Sequence, residues 1–466
     1  MNDAALLAAD NTEAPTIPPA IDRTPLSAWY SLAVLTIVTL IAFVDRNILV
    51  LQAEVIRQAM HLSDLQLAFL QGTAVTAFAA MATFPLGWLA DRFDRRLVLA
   101  GCALFWSAAV VGSGMAQSYE QLLLSSALVG AGEAGLVPIA YALIPEIFGE
   151  KKRQTANSIF AMASMSASTL ALALSGQVIG LVAVLRPSLP LFLQGVDAWR
   201  LGFFAVALPA PLLVIMIFSI SLRRRRSAAE VAAAAASATA APAVAIAALL
   251  PHFKANRATL LNFTGGLFSA LFGFGALGGW LVVIYLRNYG ITAAKLGAMM
   301  GGIALVAMIL GFPLSVYGTR YFRARIGARV NIRALWLTCV LGSIAIALMA
   351  MATSAYQMMA IHGVYMVTLT ATMLVYPTSL QGLAPSRLRT RTVALVGMIG
   401  SSGGAIGPLA TGFVSDHLKD VHNGLMLSAA MVSIPALLLG FVLLARSEKH
   451  YIVTEAAVRK ADAELG

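Results

Sequence analysis

The stretch "LVLAGCALFWSAAVVGSGMAQ", residues 97–117, decides the fold, because it contains no charged residue. A helix rises about 1.5 Å per residue, so a stretch of this length can cross about 30 Å of hydrocarbon. The composition agrees: 59% of the 466 residues are hydrophobic and only 11% are charged. Such a chain has too little polar surface to cover a soluble globule of its size. We therefore expect the lipid bilayer to be its solvent.

Dividing the sequence at its charges gives twelve stretches of this kind and predicts twelve transmembrane helices. Their predicted bounds are 27–50, 66–90, 97–117, 121–145, 155–183, 201–221, 258–286, 293–317, 332–352, 356–380, 392–415 and 424–445. The ninth and tenth share one uncharged run, 334–386, which is too long for a single span and which we divide at "ATSAYQ". The predicted fold class is an all-α polytopic membrane protein.

The basic residues predict the orientation of these helices. Loops that follow the even-numbered spans contain 20 Lys and Arg, whereas the alternate loops contain 6. Because basic loops stay in the cytoplasm, we expect both termini there and the protein in the inner (plasma) membrane of a bacterium. The net charge of +11 is thus spread over loops and does not indicate nucleic-acid binding.

A low-complexity segment that begins with four arginines, "RRRRSAAEVAAAAASATAAPAV", divides the chain into halves of six spans. We read the arginines as topology anchors, with a site for anionic lipid headgroups as the alternative. The predicted organisation is a disordered cytoplasmic N-terminal tail (1–26), an N-terminal six-helix bundle (27–222), a cytoplasmic linker (223–257), a C-terminal six-helix bundle (258–446) and a cytoplasmic C-terminal tail (447–466). Two pseudo-symmetric bundles fit a transporter whose substrate site lies between the halves.

Four stretches bring a known family to mind: "FVDRNILVLQAEVIRQAMHLSDLQLAFLQG" (43–72), "PLGWLADRFDRR" (85–96), "GAGEAG" (130–135) and "GGAIGPLATGFVSD" (403–416). Together they resemble the major facilitator superfamily, and within it the Spinster-like branch. The resemblance covers about 27–446 and implies the major facilitator fold. It also implies a secondary transporter of amphiphilic lipids, such as lysophospholipids or sphingoid molecules, that is coupled to protons and works by alternating access.

Two acidic residues, Asp45 and Glu133, lie well inside predicted spans. An ionised acid near the bilayer centre costs roughly 2.5 to 3.5 kcal/mol on insertion scales, so such residues usually face a cavity or a partner. Desolvation raises the pKa of a carboxylate, which lets an acid in an alternately hydrated cavity load and release protons. We interpret both as the proton-coupling pair. The alternative is a structural role in which each acid pins helices through hydrogen bonds.

Arg46 follows Asp45 directly, and adjacent residues on a helix point about 100° apart, so each needs a partner elsewhere. Arg46 can bind an anionic headgroup or pair with Glu133 across the bundle, and the sequence leaves both open. Relatives commonly carry an arginine two helical turns before the glutamate, where this chain has Ser126. The missing cation makes Arg46 the expected partner of Glu133.

The stretch "GWLADRFDRR" is expected to form a cytoplasmic gate. Gly87 permits close helix approach, and Asp91 can accept from a helix amino terminus or pair with arginine. The family resemblance implies that Asp91, Arg92 and Arg95 latch the outward-facing state, with simple topology charges as the alternative. The corresponding stretch after the eighth span, "GTRYFRARIGAR", lacks an aspartate, so we expect a single latch.

Polar and aromatic residues in the second half are candidates for substrate contact. We single out Asn262, His362 and Tyr365, although each is individually more typical of packing, and His362 is also a possible proton site. Glycines at Gly275 and Gly279, and at Gly400 and Gly404, have the spacing of closely packed helices, with hinge motion as the alternative.

Other classes of function lack their motifs. No GxxxxGK[ST], HExxH or metal-ligand spacing is present, so an intramembrane enzyme and a passive channel remain remote alternatives. Arg46 is the only cation at membrane depth, which favours an amphiphile over a small organic anion or a drug-like compound. We expect no cofactor beyond the proton gradient, and a monomer whose partners are its amphiphilic substrate and membrane lipids.

Overall fold

The computed structural model describes residues 25–222, 250–327 and 329–463. Within them, twelve helices are long and apolar enough to cross a membrane, as the sequence predicts. These helices are α1 (Leu26–Ala59), α2 (Asp64–Arg92), α3 (Arg95–Met115), α4 (Tyr119–Ile147), α5 (Glu150–Leu185), α6 (Ala198–Phe218), α7 (Arg257–Tyr289), α8 (Ala293–Ile326), α9 (Arg329–Ala350), α10 (Ala355–Gln381), α11 (Ser386–His417) and α12 (Gly424–Ala463). Short helices at Leu191–Gln194 and Leu250–Ala255 lie outside this set.

The long uncharged run is divided where the sequence suggested, since α9 ends at Ala350 and α10 begins at Ala355. The predicted C-terminal tail differs: residues 447–463 continue α12 as a helix. This extension is packed, because the Tyr451 hydroxyl donates to the Ser379 carbonyl (3.0 Å). Residues 1–24 of the predicted N-terminal tail and 223–249 of the predicted linker lie outside the described residues.

Successive helices cross the bundle in alternating directions, so twelve crossings leave α1 beginning and α12 ending on the same side. We call this the near side, and the opposite side, where α1 ends at Ala59, the far side. The predicted cytoplasmic location corresponds to the near side and stays a prediction.

Among the described residues, four of the transmembrane helices are irregular: α2, α4, α6 and α7, with α6 interrupted at Leu208 and Pro209. A π-helical turn, Phe69–Thr73, interrupts α2. The α4 helix is interrupted after Glu133 and resumes at Leu136, and α7 is interrupted at Gly279 and Trp280. Interrupted helices leave backbone groups without their usual partners and mark functional regions in transporters.

The predicted close packing around the second-half glycines is confirmed between α7 and α11. A Cβ on Gly275 would lie 2.4 Å from the Gly404 carbonyl oxygen, and a Cβ on Gly279 would lie 2.8 Å from Pro408. Gly400 likewise leaves no room beside Leu267. The two helix backbones approach as closely as they do because these residues lack side chains.

The two halves meet along α5 and α8 on the far side, and this contact also consists of small residues. A Cβ on Gly297 would lie 2.6 Å from the Leu172 carbonyl oxygen, and one on Gly176 would lie 2.9 Å from the Ala293 carbonyl oxygen. Gly301 packs against the Ala173 methyl group. We call this contact the small-residue seam.

Candidate functional site

Asp45 and Arg46 lie near the middle of α1 and diverge to different helices, as their helical spacing requires. Asp45 faces α3, where the Trp106 indole N–H donates to Oδ2 (3.1 Å). Arg46 faces α4, where Nη2 donates to Glu133 Oε2 (2.6 Å). Of the two arrangements that the sequence left open for Arg46, this structure contains the ion pair.

The three charged groups differ in how buried they are. Asp45 is 3% exposed and the Glu133 side chain 5%, whereas the Arg46 side chain is 43% exposed. Among the described residues, Asp45 Oδ1 and Glu133 Oε1 are buried without a hydrogen-bond partner. A proton on either acid would remove a charge and supply a donor, so the arrangement is suited to binding protons.

A narrow cavity of about 20 Å³ adjoins this group, with room for about one water molecule. Its lining residues are Asp45, Arg46, Leu49, Gln71, Val75, Val110, Ser113, Ser126, Val129 and Phe203. Ser126 therefore lies at the site, where it supplies a hydroxyl and no charge. The Gln71 side-chain NH2 is buried without a partner among the described residues, which adds a second polar group that can meet a bound molecule or water.

Sequence reasoning missed Trp106, because a tryptophan in an apolar span is unremarkable by composition. Its position depends on how closely α3 and α4 approach. A Cβ on Gly132 would lie 2.8 Å from the Trp106 Cβ, so only glycine at this position lets Trp106 reach Asp45 beside Glu133. The glycines of "GAGEAG" were the sequence signal from which this close approach of α3 and α4 could have been predicted.

The predicted gate residues lie together at the near end of α2 and α3. Arg95 donates to Glu146 Oε1 and to the Ala142 carbonyl (both 2.6 Å), and lies 3.5 Å from Asp91. The Arg92 guanidinium lies over the Trp88 ring, 4.2 Å from its centroid. These contacts join α2, α3 and α4 within the first half.

Gly87 faces open space in this structure, since a Cβ at this position would meet no described atom within 4 Å outside its chain neighbours and the backbone of its own helix.

The second-half candidates lie away from this group. His362 is buried between Tyr285 and Tyr365, and its two ring nitrogens have no partner among the described residues. The Asn262 side chain donates to the Ala258 carbonyl of its own helix (2.8 Å). None of Asn262, His362 and Tyr365 lines the cavity beside Asp45. Tyr365 instead lines an apolar groove of about 250 Å³ between α9 and α10.

A second charged group, on the far side, was also missed by reasoning from the sequence. Arg287 at the end of α7 donates to Glu54 Oε2 (Nη2, 2.8 Å; Nε, 3.1 Å) and to both carboxylate oxygens of Asp64 (2.8 and 3.0 Å). Both acids belong to the first half. Glu54 is only four residues beyond the predicted end of the first span, and Arg287 is one of the six cations in the loops of that side. The positions of this acid and this arginine in the sequence were the signals from which the contact could have been predicted.

Comparison with known proteins identifies the family. The family model of the Major Facilitator Superfamily matches residues 35–408. The chain belongs to the major facilitator superfamily. Human "Protein spinster homolog 1" is 31% identical over 130 residues, which cover 28% of this chain and 24% of that protein. The "Galacturonate transporter" of Dickeya chrysanthemi is 26% identical over 146 residues, or 31% of this chain and 41% of that protein.

A solved structure covers nearly the whole chain. It is a bacterial homologue of the human lysosomal transporter Spinster, in an inward-facing and unoccupied conformation, with a TM-score of 0.70 and 21% identity over 93% of this chain and 98% of that chain. This likeness confirms the major facilitator fold, and Spinster homologues are among both the similar proteins and the similar solved structures. The chain is therefore a multi-pass membrane transporter and not an enzyme.

Proposed function

We propose that this chain is a proton-coupled secondary transporter that moves an amphiphilic lipid, such as a lysophospholipid or sphingoid molecule, by alternating access. The observation that carries the proposal is the group formed by Asp45, Arg46 and Glu133. Two buried acids, each with a carboxylate oxygen that lacks a partner among the described residues, lie beside one half-exposed cation. Protonation of Glu133 would release Arg46 from its ion pair, which couples proton binding to the availability of the guanidinium.

The exposed guanidinium suits the headgroup of such a substrate. Arg46 uses one of its five N–H donors on Glu133 in the described contacts, and the others can bind a phosphate or carboxylate. A sugar acid or a dicarboxylate is better served by several inward cations, whereas the cavity beside Arg46 is otherwise apolar except for Asp45, Gln71 and two serines. Similarity to a galacturonate transporter makes a small organic anion the competing substrate class.

The test is uptake into proteoliposomes with and without an inward proton gradient, using a lysophospholipid and galacturonate as alternative substrates. Lipids recovered from the purified protein by native mass spectrometry would identify further candidates. We expect gradient-dependent uptake of the lysophospholipid. Uptake of galacturonate alone would reject the lipid assignment.

Proton coupling is tested in the same assay with Asp45→Asn and Glu133→Gln. We expect both variants to lose the pH dependence of uptake, because each removes a proton-binding group without changing side-chain size. Asp420→Asn is the matched control, since Asp420 is an exposed far-side acid outside the site. A folded variant that keeps the wild-type pH profile would contradict the role of the substituted acid.

We also propose the near-side stretch with Gly87, Asp91, Arg92 and Arg95 as the gate that closes when the cavity faces the far side. Open space at Gly87 and the joining of α2, α3 and α4 by Arg95 support this assignment. Transport by Asp91→Asn at a near wild-type rate would remove it.

A further inference from the structure

The "GFVSD" stretch that ends α11 repeats the pattern of the near-side "GWLAD" that ends α2. In each, a glycine is followed four residues later by an aspartate, and Asp91 and Asp416 are each the penultimate residue of their helix. The two helices run antiparallel along each other, because the end of α11, at Gly412, contacts the beginning of α2, at Asp64. The two aspartates therefore lie on opposite sides of the molecule.

Asp416 is engaged with the other half in this structure. Its Oδ1 accepts from the Asp64 backbone N–H (2.9 Å), and its Oδ2 accepts from the Leu65 backbone N–H (3.0 Å). First-turn amides of a helix have no intrahelical partner and lie at the positive end of its dipole, so a carboxylate stabilises them. The aspartate of one half thus holds the beginning of a helix in the other half.

The glycine of this stretch makes the contact possible. A Cβ on Gly412 would lie 2.8 Å from the Asp64 carbonyl oxygen and 3.1 Å from the Leu65 Cα, which are backbone atoms that cannot move independently. Gly87, at the equivalent place in the near-side stretch, faces open space. In this structure the glycine–aspartate stretch of α11 is therefore in contact with the other half, whereas the glycine of the α2 stretch faces open space.

Further polar contacts reinforce the engaged stretch. The Ser415 hydroxyl donates to Asp64 Oδ2 (2.7 Å), and Asp64 and Glu54 also bind Arg287 of the second half. Arginine, serine and aspartate side chains of the second half thereby converge on two acids and two backbone amides of the first half.

We propose that Gly412, Ser415, Asp416 and Arg287 form a far-side latch, the counterpart of the near-side gate, so that the two glycine–aspartate stretches engage in alternation. The latch holds the far side closed in this structure and opens when the path faces the far side. The expectation of a single latch concerned the stretch after the eighth span, whereas the proposed counterpart of Asp91 lies at the end of α11. The proposal rests on alternating access, proposed above.

Distances between spin labels at Leu191 and Met351 test the latch. Both residues are exposed, at 85% and 76%, and lie in far-side loops of different halves. The background is the full chain with the buried Cys102 and Cys339 replaced by serine, in lipid nanodiscs at fixed pH. Asp416→Asn and Gly412→Ala should each raise the population with longer label separation at least about threefold, since each weakens closure of the far side.

Two controls separate the latch from general effects. Asp420→Asn makes the same charge change four residues further on, at an exposed position, and Gly363→Ala adds a methyl group where no described atom lies within 4 Å. Both should give the wild-type distances. Wild-type distances in Asp416→Asn and Gly412→Ala, or an equal shift in the controls, would overturn the proposal. The measurement needs neither substrate nor proton gradient. It can therefore be interpreted even if the proposals of a lipid substrate or of proton coupling fail.

Discussion

Asp45 and Arg46 are neighbours in the sequence whose side chains serve different helices. Asp45 accepts from Trp106 on α3, and Arg46 donates to Glu133 on α4. A single turn of α1 therefore connects the two other helices of the site. Because Asp45 and Arg46 point about 100° apart, neutralising Asp45 leaves Arg46 with its partner Glu133, and neutralising Arg46 leaves Asp45 with its partner Trp106. This separation lets proton binding and headgroup binding affect different contacts of the same helix.

The role of Arg46 can be tested by binding. Arg46→Lys keeps the charge and loses the forked donor, whereas Arg46→Gln loses both. We expect Arg46→Gln to weaken binding of an anionic lysophospholipid at least about tenfold, and a zwitterionic one less, because charge-assisted hydrogen bonds are the stronger ones. Affinity is measured by calorimetry in detergent. Asn47→Ala is the control, since Asn47 bonds to the Phe43 carbonyl of its own helix. Equal losses for both lipids would argue against headgroup contact.

At this scale the sequence predicted the charged residues of the site better than their neighbours. Asp45 and Glu133 are conspicuous because an acid in hydrocarbon is costly wherever it lies. Trp106 carries no such cost, and its place depends on the approach of α3 to α4, which composition does not contain. The far-side pair of Glu54 and Arg287 was missed for a related reason: each looks like a loop charge until the two halves are brought together.

The helices of the second half pack through glycines whose spacing can be read from the sequence. Glycines at four-residue spacing predicted close approach, and α7 and α11 meet at Gly275 and Gly404. The interrupted helices were overlooked for different reasons. In α4, Pro138 has no N–H for the Ala134 carbonyl, so the sequence did contain a signal for the break, whereas no proline of α7 itself marks its break at Gly279 and Trp280. The helical continuation of α12 was missed because polar residues mask its buried face, where Tyr451 and Thr454 lie.

A matched pair of alanine substitutions tests the packing of α7. Gly275→Ala should lower the thermal unfolding temperature by several degrees, since its methyl group would meet the Gly404 backbone and overpacking costs about 1 to 3 kcal/mol. Gly278→Ala, three residues further along, should leave it unchanged because no described atom lies within 4 Å. Unfolding is followed by differential scanning fluorimetry of the purified protein. Equal melting temperatures would show that α7 and α11 can separate without cost.

The molecule as a whole has two ends of different character. Its near side has the basic loops, and its far side has the polar contacts that join the halves. The orientation of these ends in the membrane is predicted by the distribution of Lys and Arg, which can be counted along the chain without knowing how the helices pack. The closed far side, in contrast, arises from contacts between residues more than 200 positions apart, which no local pattern encodes.

Cysteine labelling in intact bacterial cells tests the orientation. A cysteine in place of Leu191, on the far side, should react with a membrane-impermeant maleimide added outside. One in place of Phe93, which is 55% exposed on the near side, should react only after the cells are permeabilised. The native cysteines are buried and should contribute little background. Labelling of Phe93→Cys alone in intact cells would reverse the predicted topology.

The small-residue seam between α5 and α8 has a consequence for how the halves can turn. Its closest contacts are made by glycine, alanine and backbone atoms. A surface of this kind can pivot with little change in contact area, and without any bond to break. The ion pairs around Asp64, and the hydrogen bonds from the first backbone amides of α2, are directional and would be lost together when the far side opens. We therefore expect the seam to act as the rotation axis, and the polar contacts to determine the height of the barrier to rotation.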